Sequence, residues 1–436
     1  MTSQSAATLN AQKGKMMDTT ATPKSLAAAA HKPDSTGGLS IVDKRALPRH
    51  LQKYLALQDF IDRARKVLPR PIYGYVTGGV EDNLSLRGNR NVFDEIGLVP
   101  KPLVDTTARS MKTTLFGKTY NAPFGFAPMG GTSIACYRGD AVLAGVAAEA
   151  NIPMMMSGAS LMKMEDLKAV GRTAMFQAYL PGDVERITET FERCERAGFD
   201  TIAVTVDVQV AANRENNVRT GYSTPLRPSL RLAWDVGIRP KWLFGMFLRT
   251  LMTDGMPHVE NMGPRAPMLS VGGKRDYGRR DRLSWTHIAH MRKIWKGNLL
   301  IKGVVDKDTV RIAREHGLNG VMVSNHGGRQ LDGTVSPARV LPGIREAAGK
   351  DMAVIMDSGF RRGTDVLKAL ALGADFCFIG RPFLCAAACA GRDGVTHAVS
   401  LLMDEIDRDM AQLGINYPKE ITKDYLLPMT GADFIE

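Results

Sequence analysis

Eight short apolar segments recur between residues 123 and 380, and this regular recurrence is the strongest constraint on the fold. They are PFGFAP (123–128), IPMMMS (152–157), AMFQAY (174–179), TIAVTVD (201–207), LLIKGV (299–304), GVMVSN (320–325), AVIMDS (353–358) and DFCFIG (375–380). Near-continuous apolar runs of this length suit strands that are buried on both faces, as a parallel sheet requires. The pattern therefore predicts eight buried parallel strands.

Stretches with helical spacing lie between most of these segments. Residues 139–150, 183–198, 306–317 and 361–373 are examples, and several begin at an Asp-type cap or end at glycine. Eight strand–helix units predict an α/β protein with a (β/α)8 TIM barrel, and a doubly wound sheet is the alternative. The sequence contains no Gly-x-Gly pair and no P-loop, which argues against the alternative.

Two parts of the chain fall outside this repeat. Residues 1–40 are rich in Ala, Ser, Thr and Lys, so we expect a disordered N-terminal tail rather than a secretory signal. Residues 41–436 are expected to form one barrel domain. A long insertion, at about 210–285, separates the fourth and fifth strands and exceeds the length of an ordinary loop.

The composition narrows the classes of partner. The net charge of +12 suits an anionic substrate, a phosphate-bearing cofactor or an acidic membrane surface. The basic residues are dispersed and no recognition module appears, so we expect no nucleic-acid partner. The five cysteines are scattered without a Cys-x-x-Cys pair, which indicates a reducing cytosol and predicts no metal site.

Polar side chains stand at the end of nearly every predicted strand. In (β/α)8 barrels the carboxyl ends of the strands meet at one face, where active sites lie. Groups of this kind are costly to bury unpaired, so their recurrence predicts one shared site. The strand-end residues are Ser157, Gln177, Tyr179, Thr205, Asp207, Lys302, Ser324, His326, Asp357, Gly380 and Arg381.

The last two strands end in loops that suit a phosphate. DSGFRRG (357–363) and GRPF (380–383) combine small residues with arginines. Barrels commonly hold a phosphate at these two loops, on backbone N–H groups and a helix start. Arg361 and Arg381 could add charge-assisted hydrogen bonds.

A second group of residues suits a carboxylate substrate and a proton transfer. Arg214 and Arg329 could clamp a carboxylate, and His326 could accept a proton between them. Asp207 could orient His326 and stabilise its protonated form. Lys302 would face a developing negative charge. These residues alone do not identify the cofactor.

The motifs as a set resemble one family, the FMN-dependent L-2-hydroxy-acid dehydrogenases and oxidases, which includes glycolate oxidase, L-lactate dehydrogenase, lactate oxidase and mandelate dehydrogenase. The resemblance runs from about residue 45 to 430. It rests on LPRPIYGYVTGGVED (68–82), APMGGTSIACYRGD (127–140), FQAY (176–179), TVD (205–207), IKGV (301–304), SNHGGRQLDG (324–333), DSGFRRG and IGRP.

The resemblance implies FMN as cofactor and a role for each matching position. His326 would be the base and Asp207 its partner. Arg214, Arg329 and Tyr75 would bind the substrate carboxylate. Tyr179 would hydrogen-bond the substrate hydroxyl or the developing carbonyl, and Lys302 would stabilise the reduced flavin. The ring would be lined by Ala127, Pro128, Met129, Gly130, Ser157, Gln177, Thr205 and Ser324. The ribityl chain and phosphate would be held by Asp357, Gly359, Arg361, Gly380 and Arg381.

The implied activity is oxidation of an L-2-hydroxy acid, foremost L-lactate, to the 2-oxo acid. Ala159 stands where glycolate oxidase-like members carry a tryptophan, so bulkier acids such as mandelate fit the expectation. Ser358 stands where the family often has glycine. An oxidase that produces hydrogen peroxide and a lactate 2-monooxygenase-like enzyme remain alternatives, and the residues do not decide whether a hydride or a proton leaves the carbon first. A flavin-binding protein without catalysis is disfavoured by the intact polar set.

The insertion includes a segment that suits a membrane interface. Residues 226–252 interleave Trp234, Trp242, Phe244 and Phe247 with Arg227, Arg231, Arg239, Lys241 and Arg249. We predict peripheral membrane binding with a quinone as electron acceptor. A cytochrome or oxygen is the alternative acceptor, and a packed lid or an oligomer contact is the alternative role. The expected location is the cytoplasm or the inner membrane surface, and the resemblance implies a homotetramer.

Overall fold

The structure, a computed structural model, describes residues 47–263, 265–269 and 279–429. Eight parallel strands close a barrel in chain order, with β8 paired to β1, which confirms the predicted (β/α)8 fold. The strands are β1 (Phe124–Phe126), β2 (Met154–Ser157), β3 (Ala174–Ala178), β4 (Thr201–Thr205), β5 (Asn298–Val304), β6 (Gly320–Val323), β7 (Ala353–Asp357) and β8 (Phe376–Ile379). The predicted disordered tail lies outside the described residues.

Each strand is followed by a helix on the outside of the barrel. The helices are α1 (Gly139–Ala150), α2 (Met164–Val170), α3 (Val184–Arg196), α4 (Trp285–Ile294), α5 (Lys307–Glu315), α6 (Pro337–Ala348), α7 (Gly363–Ala371) and α8 (Arg381–Leu413). Asp183 and Asp306 cap α3 and α5 with their side chains, as the sequence indicated. The last helix is kinked at Ala390 and Gly391, whose backbone angles are not helical.

The strands are apolar on both faces because both faces are covered. Met155, Met175, Leu300 and Met322 belong to a buried cluster inside the barrel, whereas the outward Phe126 packs on Phe383 of α8 with ring centroids 4.6 Å apart. A hairpin of Thr113–Leu115 and Lys118–Tyr120 supplies Leu115 and Tyr120 to the interior cluster. The hairpin therefore covers the end at which the strands begin, and the site lies at the other end.

Three N-terminal helices, which the sequence did not mark out, pack on the barrel. They are Leu57–Val67, Arg70–Thr77 and Leu84–Asp94. The second carries Tyr75 to the carboxyl ends of the strands. The third is fixed there by Asn89, whose amide exchanges two buried 2.7 Å hydrogen bonds with that of Asn325, next to His326. A short antiparallel pair, Ile96–Leu98 with Leu426–Pro428, joins the two ends of the described domain.

The insertion between β4 and α4 is mainly helical where it is described. Its elements are the helices Glu215–Thr220, Leu230–Gly237, Pro240–Trp242 and Arg249–Thr253, the π-helical turn Leu243–Leu248, and the strands His258–Val259 and Ala266–Pro267. Residues 264 and 270–278 of the predicted insertion lie outside the described part. No helix of the described chain is long and apolar enough to cross a membrane.

Candidate active site

Most of the predicted site residues line one cavity of about 850 Å³ at the carboxyl ends of the strands. The cavity-lining members of the predicted set are Tyr75, Ala127, Pro128, Met129, Gly130, Tyr179, Arg214, Lys302, His326, Arg329, Asp357, Gly359, Arg361, Gly380 and Arg381. The other five are not among the lining residues, and hydrogen bonds join them to one another or to lining residues: Ser157, Gln177, Thr205, Asp207 and Ser324.

His326 follows β6 in a left-handed turn that aims its ring into the cavity. Its φ is 57°, and Gly327 and Gly328 continue in the same region at 65° and 70°. The Nδ1 atom lies 3.1 Å from Oδ1 of Asp207, and Nε2 lies 3.4 Å from the hydroxyl of Tyr179. A neutral imidazole with Nδ1–H facing the carboxylate leaves Nε2 available as a proton acceptor beside Tyr179.

The surroundings hold this imidazole neutral and its partner ionised. Burial lowers the pKa of His326, and the charges of Lys302 and Arg214 lower it further, against the opposing effect of Asp207. Burial alone would raise the pKa of Asp207, but the hydrogen bond from Nδ1–H of His326 and the charge of Lys302 oppose this effect, and the pKa lies below its usual value. An imidazole and a carboxylate in these states can act as a base and its orienting partner at neutral pH.

Gly303 makes the close approach of Asp207 feasible. Its φ is 100°, and a Cβ atom at this position would collide with the carboxyl group of Asp207. The glycine in IKGV is therefore required by the His–Asp pair, a role the sequence analysis did not assign.

Lys302 forms a buried bridge between two strand ends. It is only 3% exposed, and its Nζ lies 2.9 Å from Oδ2 of Asp357 and donates to Oγ of Ser324 at 2.7 Å. Burial lowers the pKa of the ammonium, but Asp357 and Asp207 raise it by more, so the net shift is upward. Lys302 therefore remains a cation at the floor of the cavity.

Two guanidinium groups form one wall. Nη1 of Arg329 donates to the carbonyl of Gly78 at 2.6 Å, and its guanidinium carbon lies 5.1 Å from the centre of the Tyr75 ring. Nε of Arg214 donates to the carbonyl of Arg329 at 3.0 Å, and Nη2 donates to Oε1 of Gln330 at 2.5 Å. Burial, with repulsion from Arg214, lowers the pKa of Arg329 to about 10. An anion such as a carboxylate, placed between these two cations, would be attracted by both of them.

The ends of β2, β3 and β4 are linked by a chain of buried side chains. Oγ of Ser157 donates to Oε1 of Gln177 at 3.0 Å, and Nε2 of Gln177 donates to Oγ1 of Thr205 at 2.7 Å. All three are at most 5% exposed. These two hydrogen bonds fix the orientation of the Gln177 side-chain amide beneath the cavity.

The opposite end of the cavity suits a phosphate. Burial lowers the pKa of Arg361 and lowers that of Arg381 well below its usual value, and neighbouring arginines add to both shifts. Arg381 begins the long helix α8, and Ser358 and Gly359 turn the preceding loop with φ values of 81° and 91°. Left-handed turns and helix starts present backbone N–H groups to anions.

The cavity carries an excess of positive charge that an anionic cofactor and substrate would balance. Five cations line the cavity, and two carboxylates oppose them: Asp357 in the wall and Asp207 behind His326. The net charge of these groups is therefore +3. The charges of Arg280 and Asp281, which also line the cavity, offset each other. The five cations are Arg214, Lys302, Arg329, Arg361 and Arg381. A phosphate ester carries about −1.5 to −2 charges at pH 7, and a carboxylate adds −1. The donor set therefore fits FMN together with a carboxylate substrate.

Several residues that the sequence analysis did not single out support the site. Gln330 holds Arg214, Asn89 holds the His326 loop, and Tyr222 of the insertion stacks on Tyr75 with ring centroids 4.4 Å apart. Gln330 lies inside the quoted motif SNHGGRQLDG, so its position could have indicated it. Asn89 and Tyr222 lie in segments where only the fold reveals their proximity.

Comparisons with known proteins agree with this geometry. The family model described as FMN-dependent dehydrogenase matches residues 64–428. The chain is 34% identical over 383 residues to an L-lactate dehydrogenase of Pseudomonas entomophila (strain L48), with 86% of this chain and 99% of the relative covered. The crystal structure of a monotopic membrane protein, (S)-mandelate dehydrogenase, superposes with a TM-score of 0.79 at 32% identity, covering 86% of this chain and all of the other. A mandelate oxidase with benzoyl-formic acid gives a TM-score of 0.72 at 29% identity over 86% and 98%. The chain belongs to the FMN-dependent dehydrogenase family.

Proposed function

We propose that the protein oxidises a small L-2-hydroxy acid to the corresponding 2-oxo acid. The observation that carries this proposal is the placement of the His326–Asp207 pair beside two guanidinium groups in one cavity. A 2-hydroxy acid has a carboxylate next to the carbon that loses hydrogen, so it needs an anion clamp and a base at adjacent positions.

The clamp is assigned to Arg214 and Arg329. Their repulsion is relieved when a carboxylate lies between them, and the fork geometry of guanidinium fixes the orientation of that carboxylate. Gln330 and the carbonyl of Gly78 hold the two arginines in place before the substrate arrives. Tyr75, under the guanidinium of Arg329, adds a hydroxyl to the same wall.

The proton transfer is assigned to His326. Its Nε2 and the hydroxyl of Tyr179 are 3.4 Å apart, so one substrate oxygen can contact both. Oxidation of the alcohol to a ketone removes two electrons and two protons. His326 takes one proton, and the two electrons and the other proton would go to the bound FMN. Asp207 then stabilises the imidazolium at Nδ1.

When bound, FMN supplies the two-electron acceptor for this oxidation. Lys302 keeps a positive charge where the ring would gain negative charge. We assign its phosphate to Arg361 and Arg381 and its ribityl chain to Asp357, Gly359 and Gly380. The remaining predicted residues are assigned to the ring: Ala127, Pro128, Met129, Gly130, Ser157, Gln177, Thr205 and Ser324.

The wall beside the clamp favours a substrate larger than glycolate. Ala159, Leu161, Met262 and Met268 line the cavity, and Gly130 leaves it open, since a Cβ there would lie 2.8 Å from that of Ala159. L-Lactate fits, and the apolar wall extends to bulkier acids. The relatives named for lactate and for mandelate support this range.

Anaerobic absorption spectroscopy of the purified flavoprotein tests the proposal. L-Lactate or L-mandelate should bleach the visible flavin bands rapidly, and the matching amides should bleach them far more slowly, because they lack the carboxylate. His326→Gln should keep the bands and lose the bleaching. Protein that does not bind FMN, or bands that no 2-hydroxy acid bleaches, would contradict the proposal.

The insertion between β4 and α4 is the part of the protein that we connect with the electron acceptor. Between residues 230 and 252 of the insertion, five large apolar side chains are exposed: Leu230, Trp234, Ile238, Phe244 and Met252, at 92, 70, 43, 64 and 80%. We assign this exposed apolar surface, with Arg227 and Arg231, to peripheral contact with an anionic membrane and to a quinone acceptor. The monotopic membrane protein among the similar structures supports this assignment.

Two aromatic residues of the predicted membrane segment have a different role. Trp242 is 6% exposed and donates from Nε1 to the carbonyl of Ile134 at 2.8 Å. Phe247 stacks on it with ring centroids 5.6 Å apart. These two anchor the segment to the barrel, so the membrane contact is limited to Trp234, Phe244 and the apolar residues around them.

Vesicle sedimentation tests the membrane contact. The double variant Trp234→Ser and Phe244→Ser should lose binding to anionic vesicles, whereas Leu427→Ser, at a 58% exposed site outside the insertion, should bind like the wild type. Binding that survives the double variant would refute the assignment.

Anaerobic reduction of a soluble quinone, compared with oxygen consumption, separates a dehydrogenase from an oxidase. The homotetramer implied by the resemblance is tested by sedimentation equilibrium.

A further inference from the structure

Ser358 occupies a backbone conformation that serine rarely adopts. Its φ is 81°, in the left-handed region that favours glycine, and Gly359 follows at 91°. Non-glycine residues persist in this region when surrounding interactions over-determine them, and such residues concentrate at functional sites. The side chain of Ser358 should therefore make contacts that compensate for the strain.

The hydroxyl of Ser358 makes two such contacts. It donates to Oδ1 of Asp357 at 2.8 Å and accepts from the backbone N–H of Gly327 at 3.1 Å. The first contact reaches the carboxylate that pairs with Lys302, and the second reaches the turn that carries His326. A glycine at this position could make neither.

These contacts close a ring of hydrogen bonds beneath the cavity. Lys302 contacts Oδ2 of Asp357 at 2.9 Å and Oγ of Ser324 at 2.7 Å, and the same Oγ accepts from the backbone N–H of His326 at 3.0 Å. Ser358 joins the remaining two ends, Asp357 and Gly327. The ring therefore couples the buried cation to the turn that holds the base.

We propose that Ser358 is a positioning residue that sets how much of the charge of Lys302 is available to the bound flavin. Its hydroxyl shares the negative charge of Asp357 through Oδ1, so that Asp357 neutralises Lys302 less completely. Without the hydroxyl, Asp357 binds Lys302 more strongly, and negative charge on the flavin is less stabilised. The inference rests on the proposed function only in placing Lys302 beside the flavin.

The test is the reduction potential of bound FMN, measured against a reference dye with a chemical reductant and without substrate. Both Ser358→Gly and Ser358→Ala should lower the equilibrium constant for reduction by about threefold to tenfold, which is about 14 to 30 mV for a two-electron couple. The Kd of the apoprotein for FMN should stay within about threefold of the wild type, because the phosphate is assigned to Arg361, Arg381 and backbone N–H groups, none of which these substitutions remove.

The two variants separate the hydroxyl from the backbone strain. Glycine relieves the left-handed strain and alanine keeps it, so the variants should differ in Tm but agree in potential. Leu103→Gly is the matched control, since Leu103 has a φ of 64° on the surface. It should leave the potential unchanged.

An unchanged potential in both Ser358 variants would overturn the inference, as would a shift in one variant only. Neither result depends on turnover, because the reductant replaces the substrate. Wild-type protein whose flavin is not bleached by any 2-hydroxy acid would instead remove the proposed function and leave the Ser358 measurement valid.

Discussion

Replacing Asp207 with asparagine separates the electrostatic role of this carboxylate from its role in placing His326. Asparagine keeps the size of the side chain and an oxygen that can accept from Nδ1. It removes the negative charge that lies 3.1 Å from the imidazole. The variant therefore tests whether the charge, rather than the hydrogen bond, makes His326 an effective base.

The expected loss of activity follows from the distance between Nδ1 of His326 and Oδ1 of Asp207. At an effective dielectric constant of about 20, unit charges 3.1 Å apart attract by about 5 kcal/mol. A neutral acceptor retains about half of a charge-assisted hydrogen bond, so the protonated imidazole loses about 2.5 kcal/mol. This corresponds to a fall of about 10²-fold in kcat/KM.

The pH profile gives the decisive signature. Activity needs the neutral imidazole, so kcat/KM falls as the pH drops through the pKa of His326. Asp207 raises this pKa against the effect of burial, so its removal lowers the pKa, and the acid limb should move to lower pH. The variant should thus be slower at neutral pH and keep its remaining activity at more acidic pH.

Asp140→Asn is the matched control. Asp140 is 1% exposed and accepts from Oγ of Ser160 at 2.6 Å, and burial raises the pKa of its carboxyl. Because burial favours the uncharged form of this carboxyl and Asp140 does not line the cavity, asparagine should be tolerated, with kcat/KM within about twofold of the wild type. Wild-type activity in Asp207→Asn, or an acid limb that moves to higher pH, would refute the assigned role of Asp207.

Three further predictions test the other walls of the cavity. Arg381→Ala should weaken FMN binding by about 10²-fold, the value of one charge-assisted contact, and leave riboflavin binding nearly unchanged; fluorescence titration of the apoprotein with each flavin shows the difference. Arg329→Met should lower kcat/KM for L-lactate by about 10²- to 10³-fold and have a much smaller effect on lactamide, and a similar loss for both substrates in steady-state assays would contradict the carboxylate clamp. Ala159→Phe should narrow the pocket and lower kcat/KM for L-mandelate by at least about tenfold more than for L-lactate, and an equal loss for the two acids would show that this wall does not contact the substrate.

The barrel could be predicted from the sequence because of how its strands are buried. A strand covered by helices outside and by a packed interior must be largely apolar along its length, and all eight predicted segments contain a strand of the barrel. The site followed from the same reasoning, since parallel strands that close a barrel bring their ends together. Motifs scattered over more than two hundred residues thereby met in one cavity.

The elements that the sequence left unmarked depend on tertiary contacts. The helix Leu84–Asp94 has ordinary amphipathic character, and only its packing brings Asn89 to Asn325. Trp242 and Trp234 lie in the same aromatic segment, yet one is 6% and the other 70% exposed. Composition cannot separate an anchoring tryptophan from a surface one, because the difference arises from what packs against each of two successive short helices.

The same limit applies to the charges of the site. The net charge of +12 is spread over the whole chain, whereas the excess that matters comes from five cations around one cavity. Burial, and after it repulsion from neighbouring arginines, lowers the pKa values of Arg329, Arg361 and Arg381, so holding these charges in the cavity walls opposes folding. An anionic cofactor removes part of this repulsion, and an anionic substrate removes more. The electrostatic energy that opposes folding would thus be recovered on binding ligands with a phosphate and a carboxylate. By the proposed function, a neutral alcohol would recover less of this energy than a hydroxy acid.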